Sequence, residues 1–286
     1  MKKFLSLIIA VGLTFSLVGC GGKTENPEPT TEATETTETN NEESNTSASK
    51  IDEIKNKGYL SVATSPDYPP YEFKIIEGGK EKTVGFDIAI VEEIAKDLGV
   101  ELKLVEMGFD GLLLELESGN VDLAMAGFTP TEERKKSVDF SDIYYTASQS
   151  VIVKSEDADK YTTIESLSGK KIGVQLTSIQ EQMVKEQVPD AVPVSLNTLP
   201  NIIMDLNNGN IDAAVVETPV AKGYVEQFPD LAISSLELVD ETGGAAIAIK
   251  KGNPDLVEAV NSTISRLESE GLIDKFVAEA NELVGK

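Results

Sequence analysis

The chain has 286 residues, one cysteine and no histidine, and its 25 basic residues face 49 acidic ones for a net charge of −24. That balance excludes the basic footprint on which nucleic-acid binding depends. The absence of histidine excludes Ser-His-Asp and Cys-His nucleophiles and His-containing zinc sites, so an enzyme here would rely on carboxylates, Lys, Tyr or Ser/Lys pairs.

In chain order, "MKKFLSLIIAVGLTFSLVGC" places Lys2 and Lys3 before an apolar stretch too short to span a bilayer comfortably. Residues 1–20 are therefore expected to be a secretory signal, and "LVGC" resembles a bacterial lipobox that would make Cys20 a lipidated N-terminus. A lone thiol leaves no intramolecular disulfide. Residues 21–50, rich in Thr and Glu, bury too little apolar surface to offset chain entropy and are expected to form a disordered tether. As a flexible coil that tether would reach roughly 30 Å. The first 20 residues carry +2 and the tether −5, which leaves −21 on residues 51–286, a stretch long enough for two modest lobes.

Within that body short β-rich runs alternate with helical periodicity. "YLSVAT" (59–64) predicts a strand, followed by a Pro/Tyr-rich loop. "GFDIAIVEEIAKDLGV" (85–100) predicts a helix with Ile90, Val91, Ile94, Ala95 and Leu98 on one face, Asp87 as N-cap and Gly99 as stop. "ELKLVEM" predicts a strand and "DGLLLELESGN" a helix stopped by Gly119. Such alternation predicts an α/β fold with largely parallel sheets.

"LESGNVDLAMAGFTP" (116–130) resembles "LNNGNIDAAVVETP" (206–219), which predicts two lobes built from similar units. Ligands bind beyond the carboxyl ends of strands in open α/β sheets, so Ala126 to Thr129 and Glu217 are expected to face one cleft. In "GFTPTEERKK", Thr129, Pro130 and Glu132 read as a capping box, and Arg134 lies one turn on, where a helix N-terminus favours anions. Spacing alone also fits a solvated charged face.

"YPPYEF", "GFDIAIVEEIAKDLG", "GFDGLLLELESGNVDLAMAGFTPTEERKKSVDFSDIYY", "GKKIGVQLTS" and "VVETPVAKGY", taken together and in this order, resemble the polar-amino-acid substrate-binding proteins of ABC importers over nearly all of 51–286. The resemblance implies a two-lobed clamp of the periplasmic-binding-protein type II, with two strands crossing between lobes. Residues 51–146 and 241–286 would form lobe 1, and 147–240 lobe 2. It implies that Arg134 binds the ligand α-carboxylate, helped by backbone near Thr129 and by Ser178. Thr129 and the Gly127 or Ala126 carbonyl, with Glu217 as the carboxylate, would meet the α-ammonium. Tyr68 and Phe109 would cover the side chain, flanked by Gln175 and Val216. Ser65 stands where binders of cationic ligands commonly carry Asp, so that contact is either missing or supplied by Asp67 or Asp110. Ala89, Ile143 and the loop residue Ile179 depart from the usual pattern.

The implied function is capture of a free L-amino acid, arginine or another basic one first and a glutamine-like one second. Delivery would be to the transmembrane subunits of an ABC permease. "ATSPDYPPYEF" resembles arginine-type binders of Gram-positive bacteria. A monomer held to the outer face of the cell membrane through Cys20 is expected, with no cofactor, metal or catalysis. The alternative is a carboxylate-dependent dehydratase of the cyclohexadienyl type, with Glu217 as acid and Arg134 as substrate clamp.

Overall fold

In a computed structural model, residues 49–240 and 243–286 are described. The expected signal, the lipidated Cys20 and all of the tether except Ser49 and Lys50 lie outside them. Ser49 caps helix α1 (Lys50–Lys57) by accepting from the Asp52 N–H at 3.1 Å.

Strand β1 (Tyr59–Thr64) leads into a small antiparallel sheet of β2 (Asp67–Tyr68), β3 (Glu72–Glu77) and β4 (Lys80–Val84). Helix α2 (Phe86–Leu98) follows and ends at Gly99 in the left-handed conformation. Its apolar stripe, Ile90, Val91, Ile94 and Ala95, is buried, with Leu98 packed at the margin. Asp87 is not the cap of this helix. Gly85 holds that place, and Asp87 is fully buried, accepting from the Gly127 N–H at 3.0 Å and from the Tyr144 hydroxyl at 2.9 Å. A local cap signal has been overridden by partners 40 and 57 residues away.

Next come β5 (Glu101–Glu106), α3 (Leu112–Ser118), β6 (Leu123–Ala124) and β7 (Val138–Tyr145). The chain then enters a second sheet with β8 (Gln149–Lys154), β9 (Lys171–Gln175), α4 (Ile179–Gln187), β10 (Val192–Leu196), α5 (Leu199–Asn207), β11 (Ala213–Glu217), α6 (Thr218–Gln227) and β12 (Leu231–Leu238). It returns to the first sheet through β13 (Ala245–Lys250) and closes with α7 (Pro254–Ser269) and α8 (Leu272–Leu283). The chain thus passes between sheets twice, after β7 and after β12.

The two sheets share one plan. The first runs β5-β1-β6-β13-β7 and the second β10-β9-β11-β8-β12. In each, three neighbouring strands are parallel and the last two pair antiparallel. Each is the frame of a lobe with helices on both faces. Phe109, Leu112 and Leu116 fill one side of the first sheet, Ile90 and Val260 the other. Met183 and Val184 of α4 fill one side of the second, Ile203 and Val220 the other. The sequence repeat supplies the third strand of each plan, β6 and β11, after a helix whose stop glycine, Gly119 or Gly209, has φ of 78° or 74°.

The expected capping box at Thr129 does not form. The Thr131 N–H turns back to the Thr129 carbonyl at 2.9 Å, and it is the Thr131 hydroxyl that accepts from the Arg134 N–H at 3.2 Å. A single 3-10 turn, Arg134–Lys136, follows before β7. Glu132 and Glu133 pair with Lys135 and Lys136 in solvent. With no α-helix here, anion preference at Arg134 rests on its guanidinium. In the second copy Thr218-Pro219 does open a helix, with Glu217 as N-cap.

Candidate functional site

A narrow cavity lies between the lobes, at the carboxyl ends of their parallel strands. From the first lobe it is lined by Tyr68, Phe109, Ala126, Gly127, Thr129 and Arg134, and from the second by Gln175, Ser178 and Glu217. Glu72, Ile179 and Gln180 complete the wall. Strand ends set these positions: β2 ends at Tyr68, β9 at Gln175 and β11 at Glu217, while Ala126 to Thr129 follow β6. Ser178 caps α4, accepting from the Glu181 N–H at 3.2 Å and donating to the Gln175 carbonyl at 2.7 Å. Gly127 sits at φ 56°, with its missing Cβ facing the Tyr71 ring at 3.4 Å, so a side chain there would meet backbone strain while only touching the ring.

Ser65 is not brought to this wall. It is buried, and its hydroxyl donates to Asp67 Oδ1 at 3.2 Å. Val216 is buried in the core. Neither acid considered as a contact for a cationic side chain lines the cavity. Asp67 is held by protein donors, and Asp110 accepts from the Asn197 amide at 3.3 Å. Ile179 is not in a loop but is the first residue of α4. Glu72 carries no sequence signal of its own beyond being an acid set between Tyr71 and Phe73, which themselves are buried. Its place on the wall comes from the register of β2 with β3, Tyr68 opposite Glu72.

The charges are separated across the cavity. Arg134 stacks over Phe128 at 5.1 Å and Phe109 at 5.6 Å, and these two rings stack on each other at 4.8 Å. Its guanidinium donates to the Thr129 carbonyl at 3.0 Å and, across the cleft, to the Thr177 carbonyl at 3.1 Å. Thr177 presents that carbonyl from a left-handed backbone, φ 66°, a costly conformation for a β-branched residue. Among the described residues Arg134 has no carboxylate partner, and burial lowers its pKa to about 10.

The other end is acidic. Glu217 and Glu72 are buried, and each has one carboxylate oxygen without a hydrogen-bond partner. Burial raises Glu217 to about 8, with Asp87 and Asp240 adding to the shift and the nearby Tyr71 hydroxyl opposing it. Glu72 is raised well above the usual carboxylate range by burial and then by Asp87, Asp67 and Glu217. Asp87 is raised to about 7 by burial, against the bonds from Gly127 and Tyr144. Tyr68 joins the two lobes here, its hydroxyl accepting from the Glu217 N–H at 3.2 Å.

A half-buried cation with no carboxylate partner, and buried carboxyls with an oxygen left unbonded, are each costly. A small molecule carrying both signs of charge would relieve both ends at once. No group of His, Cys, Asp and Glu able to hold a metal occurs among the described residues.

The family model described as bacterial extracellular solute-binding proteins, family 3, matches residues 60–280. The arginine-binding extracellular protein ArtP of Bacillus subtilis (strain 168) is 34% identical over 281 residues, covering 96% of each chain. The glutamine-binding protein GlnH of the same organism is 30% identical over 281 residues, again covering 96% of each. A crystal structure of the amino acid ABC transporter substrate-binding protein AbpA from Streptococcus pneumoniae bound to L-arginine superposes with a TM-score of 0.80. It is 43% identical, and the match covers 82% of this chain and 100% of that one.

Proposed function

The chain belongs to the bacterial extracellular solute-binding proteins, family 3, and from that premise we propose that its cavity captures a basic L-amino acid, arginine first, for delivery to an ABC permease. It is an amino acid ABC transporter substrate-binding protein of the extracytoplasmic kind. The ligand, the lipid anchor at Cys20 and the permease subunits are the proposed part.

One observation carries the ligand class: among the described residues the cavity wall holds one cation, Arg134, and two buried carboxyls, Glu72 and Glu217, each with one oxygen lacking a hydrogen-bond partner. An amino acid's α-carboxylate and α-ammonium neutralise Arg134 and one of the carboxyls. The second carboxyl remains, and a cationic side chain satisfies it. A glutamine-like ligand leaves that carboxyl protonated or unpaired, which ranks it second. In this reading Arg134 grips the α-carboxylate with Thr129 and Ser178 beside it, and Glu217 takes the α-ammonium. Tyr68 and Phe109 flank the side chain, Gln175 lies alongside it, and Glu72 takes its cationic end. Flanking rings suit a planar guanidinium through cation–π contact. The names of ArtP and of arginine-bound AbpA support arginine, while GlnH keeps the glutamine-like ligand in view.

Binding that bridges lobes stabilises the closed arrangement by its differential affinity. The test is a thermal-shift screen of the purified protein against the twenty amino acids, where stabilisation follows RT ln(1 + [L]/Kd). Arginine or lysine should give the largest shift. A shift from no amino acid, or the largest from an acidic one, would overturn the reading. The relatives named above are binding proteins, so the dehydratase alternative is set aside.

A further inference from the structure

Asp67 looks at first like the acid that a cationic ligand would meet, yet it does not line the cavity. Its carboxylate is spent across the cleft. One oxygen, Oδ2, accepts from the Leu199 N–H at 3.0 Å and from the Gln175 amide at 3.3 Å. The other accepts from Ser65 at 3.2 Å and stands 3.4 Å from the same Gln175 nitrogen. Its backbone carbonyl accepts from the Tyr224 hydroxyl at 3.2 Å. Asp67 and Ser65 belong to the first lobe, and Gln175, Leu199 and Tyr224 to the second.

Leu199 is the first residue of α5, and the N-cap Thr198 makes no side-chain capping bond. The first N–H of a helix has no intrahelical partner and is ordinarily served by a side chain next to it in sequence. Here a carboxylate 132 residues away in the other lobe serves it. The bond exists only while the lobes are together. Separation would leave the Leu199 N–H and the Tyr224 hydroxyl to water, leave the Gln175 amide with only the Asn197 carbonyl of its own lobe at 3.4 Å, and expose Asp67.

We propose that Asp67 is a positioning residue, a cross-lobe latch that caps α5 in trans and biases the clamp toward closure without touching the ligand. A latch of this kind multiplies affinity for every ligand alike, because it acts on the closed arrangement that all of them share. Specificity stays with the cavity wall, where in the reading above Glu72 is the acid that meets the ligand side chain. The inference rests on the amino-acid-binding reading above and deepens it.

The experiment measures Kd and koff for arginine, lysine, histidine and glutamine on the wild-type protein, Asp67→Asn and Asp67→Ala. Hydrogen bonds to a charged group correspond to a factor of about ten or more, so Asp67→Ala should weaken every ligand that binds by about tenfold, mainly by raising koff. Asp67→Asn keeps one carbonyl for the Leu199 N–H and should fall between the two. A loss confined to basic ligands, or an Asn variant as poor as Ala, would make Asp67 a charge partner of the ligand and overturn the latch. An Ala variant within twofold of wild type would overturn it as well. Amide exchange at Leu199, read without ligand, separates this inference from the reading beneath it. If the wild-type protein binds no amino acid, the binding reading fails. Slower exchange at Leu199 in wild type than in Asp67→Ala would then still support the latch, and equal rates would overturn it.

Discussion

Asp122 and Asp212 occupy the same place in two corners of the molecule. Each follows a Gly-Asn-aliphatic turn, each carboxylate accepts from a backbone N–H on the neighbouring parallel strand, and each N–H returns a bond to that residue's carbonyl. For Asp122 the partner is Ser61, at 2.8 and 2.9 Å; for Asp212 it is Lys171, at 2.9 and 2.9 Å. The internal repeat is therefore a repeated way of pinning one strand against the next.

The two copies should differ in consequence. Asp122 is buried and also engages the Ser61 hydroxyl at 2.6 Å, Lys50 at 3.1 Å and Lys57. Asp212 is half-buried and carries only the backbone pair among its described contacts. Asp122→Ala is expected to destabilise by about 3 kcal/mol, since it strands buried donors, and Asp212→Ala by about 1 kcal/mol. Urea midpoints at one pH would show it. Equal losses would mean that the lysines at Asp122 contribute nothing.

Stability should fall as pH rises from 5 to 8. Glu217 and Asp87 have folded pKa values of about 8 and about 7, and Glu72 is also raised, all first by burial. Facing Glu217 are Tyr68, Tyr71, Tyr144, Tyr145, Glu72, Asp87 and Asp240, none of them a cation, while the cavity's Arg134 stands at its other end and does not hold Glu217 ionised. Between the unfolded value near 4 and the folded one, the folded state holds a proton that the unfolded state has released. The stabilisation is complete below about 4 and is lost through 7 to 8, at up to about 1.4 kcal/mol per pH unit for each group. Asp122 acts with the opposite sign. Burial pushes it up, but Lys57, Ser61 and Lys50 more than offset this, so its contribution is lost only below about 4. Melting temperatures of ligand-free protein should decline from pH 5 to 8, and Glu217→Gln should flatten the slope. A rising wild-type profile would show the carboxyls to be ionised throughout.

Local signals in the sequence mark what local chemistry decides. The stop glycines Gly99, Gly119 and Gly209, the α2 stripe and the repeat all show in it, because each depends on a few neighbouring residues. What depended on distant partners was not legible. Asp87 resembles a cap but serves Gly127 and Tyr144. Asp67 looks like a ligand contact but serves α5, and Ser65 serves Asp67. Glu72 reaches the cavity through strand pairing that no spacing rule announces. Thr131 rather than Thr129 caps the turn before Arg134, and β7 begins soon after, at Val138.

Gly85 should not tolerate a side chain. Its φ of 131° with ψ of 168° lies in a region reserved for glycine, and an added Cβ would stand 2.0 Å from the Tyr71 carbonyl oxygen. That carbonyl accepts from the Asp87 N–H at 3.0 Å, so the clash would disturb the start of α2 and the buried Asp87 with it. Gly85→Ala is expected to cost about 3 kcal/mol or more. Gly79, at φ 78° with nothing within 4 Å, isolates the cost of backbone strain alone, and Gly79→Ala should cost about 1 kcal/mol. Denaturant midpoints of the two variants compare them directly, and a Gly85→Ala loss no larger than that of Gly79→Ala would contradict the close approach.

Arg134→Lys separates charge from shape at the cationic end of the cavity. Lysine keeps the positive charge but not the fork that reaches the Thr129 and Thr177 carbonyls together, nor the flat face over Phe128. If Arg134 grips the α-carboxylate, a group common to all amino acids, its loss should weaken every ligand by the same factor. We expect at least about tenfold for Arg134→Lys, from the lost bidentate geometry, and no measurable binding for Arg134→Ala. Isothermal titration with arginine and with a weaker amino-acid ligand reads the factor for each. A loss restricted to one ligand would place Arg134 against a side chain instead, and an unchanged affinity in Arg134→Lys would reduce its role to charge alone.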